Sequence, residues 1–259
     1  MSEIVVSRPQ PDIAVVTIDR PARRNACDRA AWRDLAGAFR ALAAAEDLRL
    51  VVLTGAGGHF CAGADIGEFP RLRADSVGGA AYEREVAACY AAIRALPQPS
   101  VAAVAGFCVG GGCALALCCD FRVLHRGARF GIPAAKLGTV YTIEECRLLL
   151  SIVGLANAKR ILYGGELFDT AAARAMGFAD LVVEDDVVAA AIAFMAPMAA
   201  NAPLAIAGTK AILQELAYGD AERRKEDLEA LIRRALDSAD YREGAAAFLE
   251  KRPPRFTGR

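Results

Sequence analysis

The chain has 259 residues, of which 55% are hydrophobic and 24% are charged. This composition is typical of a folded globular protein and excludes a disordered, collagen-like or coiled-coil chain. Because 31 basic residues balance 31 acidic ones, the chain lacks the bulk positive field that binding to nucleic acid or to an anionic membrane surface requires. We therefore expect no nucleic-acid partner and no membrane partner.

The eight cysteines lie inside apolar segments, without the paired C-x-x-C spacing of a zinc site or a redox motif. This distribution predicts small buried thiols in a reducing cytosol and no metal site. The N-terminal residues show no basic region followed by a long apolar stretch, and no uncharged run of about 20 residues occurs. We therefore expect a cytoplasmic protein that does not span a membrane.

The first half of the chain alternates between strand-like and helix-like segments. Clustered β-branched residues predict strands over residues 4–7 and 13–19, with a turn between them. Asp28 is the predicted N-cap of a helix that runs to about residue 45, since apolar residues follow it at helical spacing. A fully apolar strand is predicted next, at residues 50–54.

A second helix is predicted over residues 80–95 and ends before two prolines. A strand at 100–105, a glycine run at 110–112, a short apolar helix and a strand near 121–124 follow. This order of strand, glycine loop and helix occurs twice. It predicts an α/β core of parallel strands that are buried on both faces.

The second half is helical in pattern from about Glu144 onward, with one strand-like interruption at residues 181–183. Residues 221–234 carry many glutamates and arginines at helical spacing, which is typical of a solvated helix face. We divide the chain into a core of residues 1–196 and a helical C-terminal domain of residues 197–259. We expect the second part to pack on a neighbouring subunit.

Two glycine-containing loops are the most informative features. The first glycine loop, residues 60–66 (FCAGADI), and the second glycine loop, residues 106–113 (GFCVGGGC), each follow a predicted strand. Small residues at such positions let backbone amides approach a ligand closely, so two convergent N–H donors would form an oxyanion hole. Alternatively, the glycines only permit tight packing at the strand ends. The sequence contains neither the P-loop motif G-x-x-x-x-G-K-[ST] nor a clean dinucleotide-binding motif G-x-G-x-x-G.

With these loops, four further motifs occur in order: Arg20-Pro21 with Asn25-Ala26, Phe130-Gly131 with Lys136-Leu137-Gly138, Ala202-Pro203-Leu204-Ala205, and the C-terminal run FLEKR at 248–252. In these motifs the chain resembles the enoyl-CoA hydratase/isomerase family, the crotonase superfamily, over nearly its whole length. The resemblance implies an α/β crotonase-like spiral of ββα repeats with a C-terminal helical trimerisation domain. It implies a homotrimer or a dimer of trimers that binds an acyl-CoA thioester, with coenzyme A as part of the substrate and no separate cofactor.

The resemblance also implies the roles of particular residues. The two amides of the oxyanion hole fall on Ala64 and Gly111. The backbone that contacts the adenine falls on Ala62, Ala64, Asp65 and Ile66. Lys251 matches a residue that reaches the CoA phosphates from a neighbouring subunit, and Phe248 lies beside it.

The chain departs from the family where hydratases carry their two catalytic glutamates, because Ala114 and Ala134 stand there. Each general acid or base typically contributes about 10² to 10⁴ in rate, and alanine has no proton to transfer. The sequence therefore predicts an enzyme that stabilises a thioester enolate but does not use the two-glutamate route of hydration.

Three alternatives remain open at this point. Decarboxylation of a malonyl-type acyl-CoA is favoured by Tyr141, which matches a tyrosine of methylmalonyl-CoA decarboxylases, although those enzymes carry a histidine in place of Ala64. Isomerisation would need a carboxylate. Glu144 and Glu145 follow at a predicted helix start, where a carboxylate also stabilises the helix N-terminus, and we take Glu144 as the candidate, with Tyr141 as the other group that could assist. The third alternative is an acyl-CoA-binding protein without catalysis.

Overall fold

The computed structural model of the chain describes residues 3–259. Its strands are β1 (Ile4–Gln10), β2 (Ile13–Ile18), β3 (Leu50–Gly55), β4 (Ser100–Val104), β5 (Phe107–Val109), β6 (Phe121–His125), β7 (Arg129–Gly131) and β8 (Leu181–Val183). Its α-helices are α1 (Arg29–Ala43), α2 (Phe69–Leu72), α3 (Ser76–Arg94), α4 (Gly111–Cys118), α5 (Ile143–Gly164), α6 (Thr170–Ala175), α7 (Val187–Ala199), α8 (Pro203–Tyr218), α9 (Lys225–Leu236) and α10 (Ala239–Glu250).

The main sheet has six strands in the order β1-β2-β3-β4-β6-β8. β1 is antiparallel to β2, whereas every other neighbouring pair is parallel. Successive residues of β3 are buried on opposite faces: Val51 and Leu53 belong to the larger apolar cluster, and Leu50 and Val52 belong to the cluster that includes α7. Because successive side chains point to opposite faces and both faces are covered, every residue of this run in β3 is apolar. The predicted core of parallel strands is confirmed.

Helices α1, α3 and α4 connect successive parallel strands, and their apolar faces join the larger cluster. α1 begins as predicted, because the Asp28 carboxylate accepts a hydrogen bond from Ala31 N at 2.8 Å. The mixed α/β architecture with a parallel sheet and C-terminal helices is therefore the one expected.

Some short elements were not predicted. β5 and β7 pair in a separate two-stranded sheet, but each has only three residues, too few to show a period in the sequence. β1 extends past Pro9 to Gln10, beyond the predicted end at residue 7. It can contain a proline because it is an edge strand, where one backbone N–H needs no partner.

The C-terminal helices attach to the core through a buried ion pair. Lys210 Nζ on α8 lies 2.7 Å from Asp120 Oδ2 and donates to Gln98 O at 2.9 Å. Helix α7 contains residues on both sides of the boundary expected at 196/197, and the division into domains stays a prediction. Within residues 3–259 no single helix is long and apolar enough to cross a membrane. Helices α7 and α8 reach that length and apolar content only when counted together, and they meet at an angle of 103°.

Glu85 joins α1 to α3, and this contact predicts a pH-dependent stability. Hydrogen bonds from Arg29, together with those from Arg33, lower the pKa of Glu85 from 4.5 to about 2. We expect Glu85→Gln to lower the free energy of unfolding by about 1 kcal/mol at pH 7, a value reduced by solvent screening. Because the folded-state pKa is depressed, this loss should be complete above about pH 5 and shrink as the pH falls from 4.5 towards 2.

Urea unfolding of the wild type and of Glu85→Gln at a series of pH values from 7 down to about 2.5 measures this difference. Glu222→Gln is the matched control, since Glu222 is exposed and its carboxylate has no ion pair among the described residues. A loss in Glu85→Gln that did not change with pH would contradict the assignment to the ion pairs.

Candidate active site

The two glycine loops lie side by side because their backbones form hydrogen bonds with each other. Cys61 N donates to Phe107 O at 2.9 Å, and Val109 N donates to Cys61 O at 2.9 Å. The first loop follows β3 and the second follows β4, which are neighbouring parallel strands. The carboxyl ends of such strands lie at one edge of the sheet, so both loops reach the same place.

Gly63 is the point of closest approach between the glycine loops. Its φ is +92°, and a Cβ there would lie 2.6 Å from Val109 O and 3.0 Å from Gly111 N. Because of the positive φ and the lack of space, any residue larger than glycine would be energetically unfavourable here. A glycine therefore lets the first loop come within contact distance of the N-terminus of α4.

The amides of Ala64 and Gly111 are the donors that this arrangement leaves free. Neither N–H donates a hydrogen bond to another group in the described part of the chain. Both residues line one cavity of about 160 Å³. Gly111 begins α4, where backbone N–H groups carry partial positive charge. Two unpaired donors beside one cavity can stabilise negative charge that develops on a carbonyl oxygen.

The other residues expected in the first loop divide into two groups. Ala62 and Ile66 line the same cavity as Ala64. Asp65 does not: its carboxylate accepts from Gly67 N at 3.1 Å and lies 3.7 Å from the Arg20 guanidinium. The Asp65 side chain therefore caps the short helix that follows.

Asn25 holds the strand end from which the first loop starts. It is fully buried, and its side-chain nitrogen donates to Ala56 O at 2.8 Å and to His59 O at 2.6 Å. Its Oδ1 accepts from Arg20 N at 2.9 Å. The Arg20 and Asn25 motif residues therefore fix the backbone around the loop and do not face the cavity.

The positions that lack glutamate are filled by methyl groups. Ala134 lines the cavity, and Ala114 is buried within α4. Carboxylates reach the cavity from other elements, Glu145 from α5 and Glu83 from α3. The cavity is also lined by polar and aromatic side chains to which sequence analysis assigned no individual role, Trp32, Phe69, Arg73, Tyr82 and Tyr90. The helical spacing of 82, 86 and 90 was the signal that could have found the α3 face.

Of the two neighbouring glutamates, only Glu145 faces the cavity. Its Oε2 accepts from Thr142 N at 3.0 Å and from Thr142 Oγ1 at 2.9 Å, which closes a capping box at the start of α5. Its Oε1 lies 3.4 Å from the Tyr90 hydroxyl. Glu144 instead pairs with Arg94 at 2.8 Å and does not line the cavity. Periodicity did not distinguish these adjacent residues.

Tyr141 lines the cavity as the sequence indicated. Its hydroxyl donates to Gly110 O at 2.7 Å, and Gly110 is the N-cap of α4, immediately before Gly111. Burial raises the pKa of Tyr141 well above its usual value. The neutral hydroxyl therefore holds the backbone that presents the Gly111 amide.

The remaining candidates lie outside this cavity. Phe248 is exposed near the end of α10, and Lys251 terminates that helix with φ +56°. Two potentially reactive side chains near the glycine loops, His59 and Cys113, also lie outside the cavity: His59 Nδ1 accepts from Phe107 N at 3.3 Å, and Cys113 Sγ donates to Cys108 O at 2.8 Å. All eight cysteines are free thiols. In residues 3–259 no group of three or more His, Cys, Asp or Glu side chains is arranged to hold a metal ion.

The close approach at Gly63 predicts a large effect of one added methyl group. Gly63→Ala combines a strained φ with contacts to Val109 O and Gly111 N, so we expect it to lower the free energy of unfolding by about 3 kcal/mol. Gly58→Ala is the matched control, since Gly58 has φ +78° and open space around it. It should lose only about 1 kcal/mol. Urea unfolding compares the two, and equal losses would contradict the packing argument.

Comparison with known proteins identifies the family to which this arrangement belongs. The enoyl-CoA hydratase/isomerase family model matches residues 8–259. The chain is 33% identical over 271 aligned positions, covering 100% of both chains, to 2,3-dehydroadipyl-CoA hydratase of Escherichia coli. It is 30% identical to crotonyl-CoA hydratase of Syntrophomonas wolfei, with 98% of each chain covered.

Solved structures agree with these matches. The crystal structure of an enoyl-CoA hydratase/carnithine racemase from Magnetospirillum magneticum is 39% identical with a TM-score of 0.92, and the match covers 100% of this chain and 97% of that one. An enoyl-CoA hydratase from Bacillus anthracis is 26% identical with a TM-score of 0.91, and the match covers 100% of both chains. The chain therefore belongs to the enoyl-CoA hydratase/isomerase family, the crotonase superfamily, and is an enzyme of that family.

Proposed function

We propose that the cavity binds an acyl-CoA thioester with its carbonyl oxygen on the Ala64 and Gly111 amides, and that Glu145 transfers the proton at the neighbouring carbon. The reaction that fits one carboxylate is the shift of a double bond in an enoyl-CoA. The observation that carries this proposal is the Glu145 carboxylate, which is 8% exposed and lines the same cavity as both free amides.

The Tyr90 hydroxyl lies between the Glu145 carboxylate and the Gly111 side of the proposed oxyanion hole. Its hydroxyl lies 3.4 Å from Glu145 Oε1, and a Cβ on Gly111 would lie 3.4 Å from the same hydroxyl. Burial and the charge of Glu145 raise the pKa of Tyr90, so the phenol stays protonated. One neutral hydroxyl thus separates the proposed base from the backbone at the Gly111 amide.

In the proposed reaction, Glu145 removes a proton from C2 of a 3-enoyl thioester. The electron pair of the broken C–H bond moves through the conjugated system to the thioester oxygen, whose negative charge the two amides stabilise. The protonated Glu145 then returns the proton to C4, and the double bond ends between C2 and C3. A single group can serve as base and then as acid, because it carries the proton from one carbon to the other.

Hydration by two glutamates has less support, although the relatives named above are hydratases. Ala114 and Ala134 offer no group that activates water or handles a proton. Decarboxylation of a malonyl-type thioester is the second candidate, because it needs only enolate stabilisation and Tyr141 lies at the cavity. In a decarboxylation the Tyr141 hydroxyl would act indirectly, because its hydrogen bond to Gly110 O holds the second glycine loop in place.

Exchange of the C2 protons of butyryl-CoA in D2O tests the proposed base without assuming the final reaction. We expect the wild type to exchange these protons and Glu145→Gln to lose about 10² to 10⁴ in exchange rate, as for the removal of a general base. Nuclear magnetic resonance of the thioester measures the exchange. Glu144→Gln is the matched control and should keep the wild-type rate, because Glu144 pairs with Arg94 outside the cavity.

The products of crotonyl-CoA, 3-enoyl-CoAs and methylmalonyl-CoA then distinguish the candidate reactions. A moved double bond supports the isomerase, loss of CO2 supports the decarboxylase, and gain of water would show hydration without the usual glutamates. Binding with neither exchange nor product would support the acyl-CoA-binding protein and contradict the proposed catalysis.

We also propose a homotrimer, or a dimer of trimers, that works in the cytoplasm without a further cofactor. An apolar groove of about 510 Å³ among α8, α9 and α10 supports association, and its wall includes Leu204, Ile212, Leu231, Ile232 and Leu236. Phe248 and Lys251 lie outside the cavity of their own chain, which suits a role at the CoA of a neighbouring subunit.

This arrangement predicts a salt-dependent role for Lys251. We expect Lys251→Ala to weaken CoA binding by about fivefold at low ionic strength, as for the loss of one exposed charge contact, and by less at high salt. Titration calorimetry at two salt concentrations measures this, with light scattering to confirm the oligomer. Lys225→Ala is the control, since Lys225 is exposed on α9. Equal affinity for both variants would contradict the assignment.

A further inference from the structure

A guanidinium lies in the wall of the acyl cavity, on the side formed by α2 and α3. Arg73 follows α2 directly, and both Arg73 and its ion-pair partner Glu83 line the cavity. The guanidinium carbon of Arg73 lies 4.6 Å from the centre of the Phe69 ring and 5.5 Å from that of Tyr82. The two rings hold the guanidinium in place by cation–π contact.

Two side chains at this wall have more hydrogen-bond donors than the described part of the chain has acceptors for. A guanidinium carries five N–H donors, and the only acceptor for Arg73 among residues 3–259 is Glu83. The Tyr82 hydroxyl accepts a hydrogen bond from Trp32 Nε1 at 2.8 Å and donates none in the described chain. Its side chain is 4% exposed. The wall therefore presents donors from two side chains, and a ligand in the cavity can supply an acceptor for them.

Glu83 does not rule out an anion beside Arg73. Burial raises the pKa of Glu83, an effect that the charge of Glu145 increases and the charge of Arg73 opposes. Taking up a proton therefore costs Glu83 less than it costs an exposed glutamate. When the carboxylate of a ligand approaches, Glu83 can take up a proton and become neutral. The guanidinium of Arg73 can then pair with the ligand carboxylate.

The cavity also limits the length of the acyl chain. Its volume of about 160 Å³ is below the 300 to 1,000 Å³ of sites for drug-sized ligands. We propose that the acyl group carries a terminal carboxylate, so that the substrate is the CoA thioester of a short dicarboxylic acid whose free carboxylate binds Arg73 and Tyr82. This inference rests on the proposed acyl-CoA function of the site and adds the identity of the group at the other end of the chain.

Binding of matched thioesters tests the inference without turnover. Glutaryl-CoA and pentanoyl-CoA have equal chain lengths and differ in a terminal carboxylate, and titration calorimetry gives their dissociation constants. We expect the wild type to bind glutaryl-CoA about tenfold more tightly. Arg73→Met keeps an unbranched side chain without the charge, and should abolish this preference while changing the affinity for pentanoyl-CoA less than twofold. A charge-assisted hydrogen bond accounts for a factor of this size.

Two further variants separate recognition from loss of structure. Arg71→Met is the matched control two residues earlier, in α2, because Arg71 pairs with Glu68 and does not line the cavity. It should keep the wild-type preference. Glu83→Gln removes the competing carboxylate and should increase the affinity for glutaryl-CoA, a gain that misfolding cannot produce.

The outcomes distinguish this inference from the proposed function. Equal binding of both thioesters by the wild type, or a preference that Arg73→Met leaves unchanged, would overturn the dicarboxylic substrate and leave the acyl-CoA site intact. Binding of neither thioester would overturn both. The expected preference together with a failed C2 exchange would support the inference and overturn the proposed chemistry.

Discussion

The site depends on one steric constraint, the contact between the two glycine loops at Gly63. Two backbone N–H groups can bind one oxygen only if their loops approach more closely than side chains allow. The Gly63 backbone meets Val109 and Gly111 at a distance where no Cβ fits. Neighbouring residues preserve this contact: Asn25 binds the backbone before the first loop, and Tyr141 binds Gly110 in the second. Asn25 and Tyr141 thus position the backbone around the cavity.

The two backbone amides of the proposed oxyanion hole and the side chains of the cavity wall determine different properties of the site. The hole is built from backbone, so it persists when the residues around it change, and it fixes only where negative charge is stabilised. The walls decide which proton moves and which acyl group fits. Here the usual glutamate positions hold Ala114 and Ala134, while Glu145, Glu83 and Arg73 supply charge from other elements. In the proposed function the two backbone amides stabilise the enolate, whereas the reaction and the substrate depend on these side chains.

Sequence analysis predicted the features that local chemistry determines. The Asp28 cap and the apolar strand β3 each follow from a few adjacent residues. Ala64 and Gly111, which line one cavity, were instead assigned through the resemblance to the family. The choice of Glu144 shows the limit of such reasoning. Adjacent residues on a helix point about 100° apart, and only the packing of α5 against α3 determines that Glu145 faces the cavity while Glu144 meets Arg94.

Arg73 and Glu83 could not be paired from the sequence for a similar reason. They come from two elements whose relative placement depends on how Phe69 and Tyr82 pack, with ring centres 6.2 Å apart. The three-residue strands β5 and β7 were missed because their pairing partners are distant in the chain. In each case the missing information was a tertiary contact and not a local preference.

The positions of two helix N-termini explain how one cavity can manage charge during the proposed reaction. Glu145 lies in the first turn of α5, and the Gly111 amide begins α4. Both sites carry the partial positive charge of a helix N-terminus, which favours an anion. Before the reaction the negative charge is on Glu145, and after proton transfer it is on the thioester oxygen at the hole. The charge moves from one N-terminus to another while the total charge of the cavity stays constant, so a helix dipole favours the negative charge at both positions. The Tyr90 hydroxyl between the two positions remains protonated throughout, because burial and the charge of Glu145 raise its pKa.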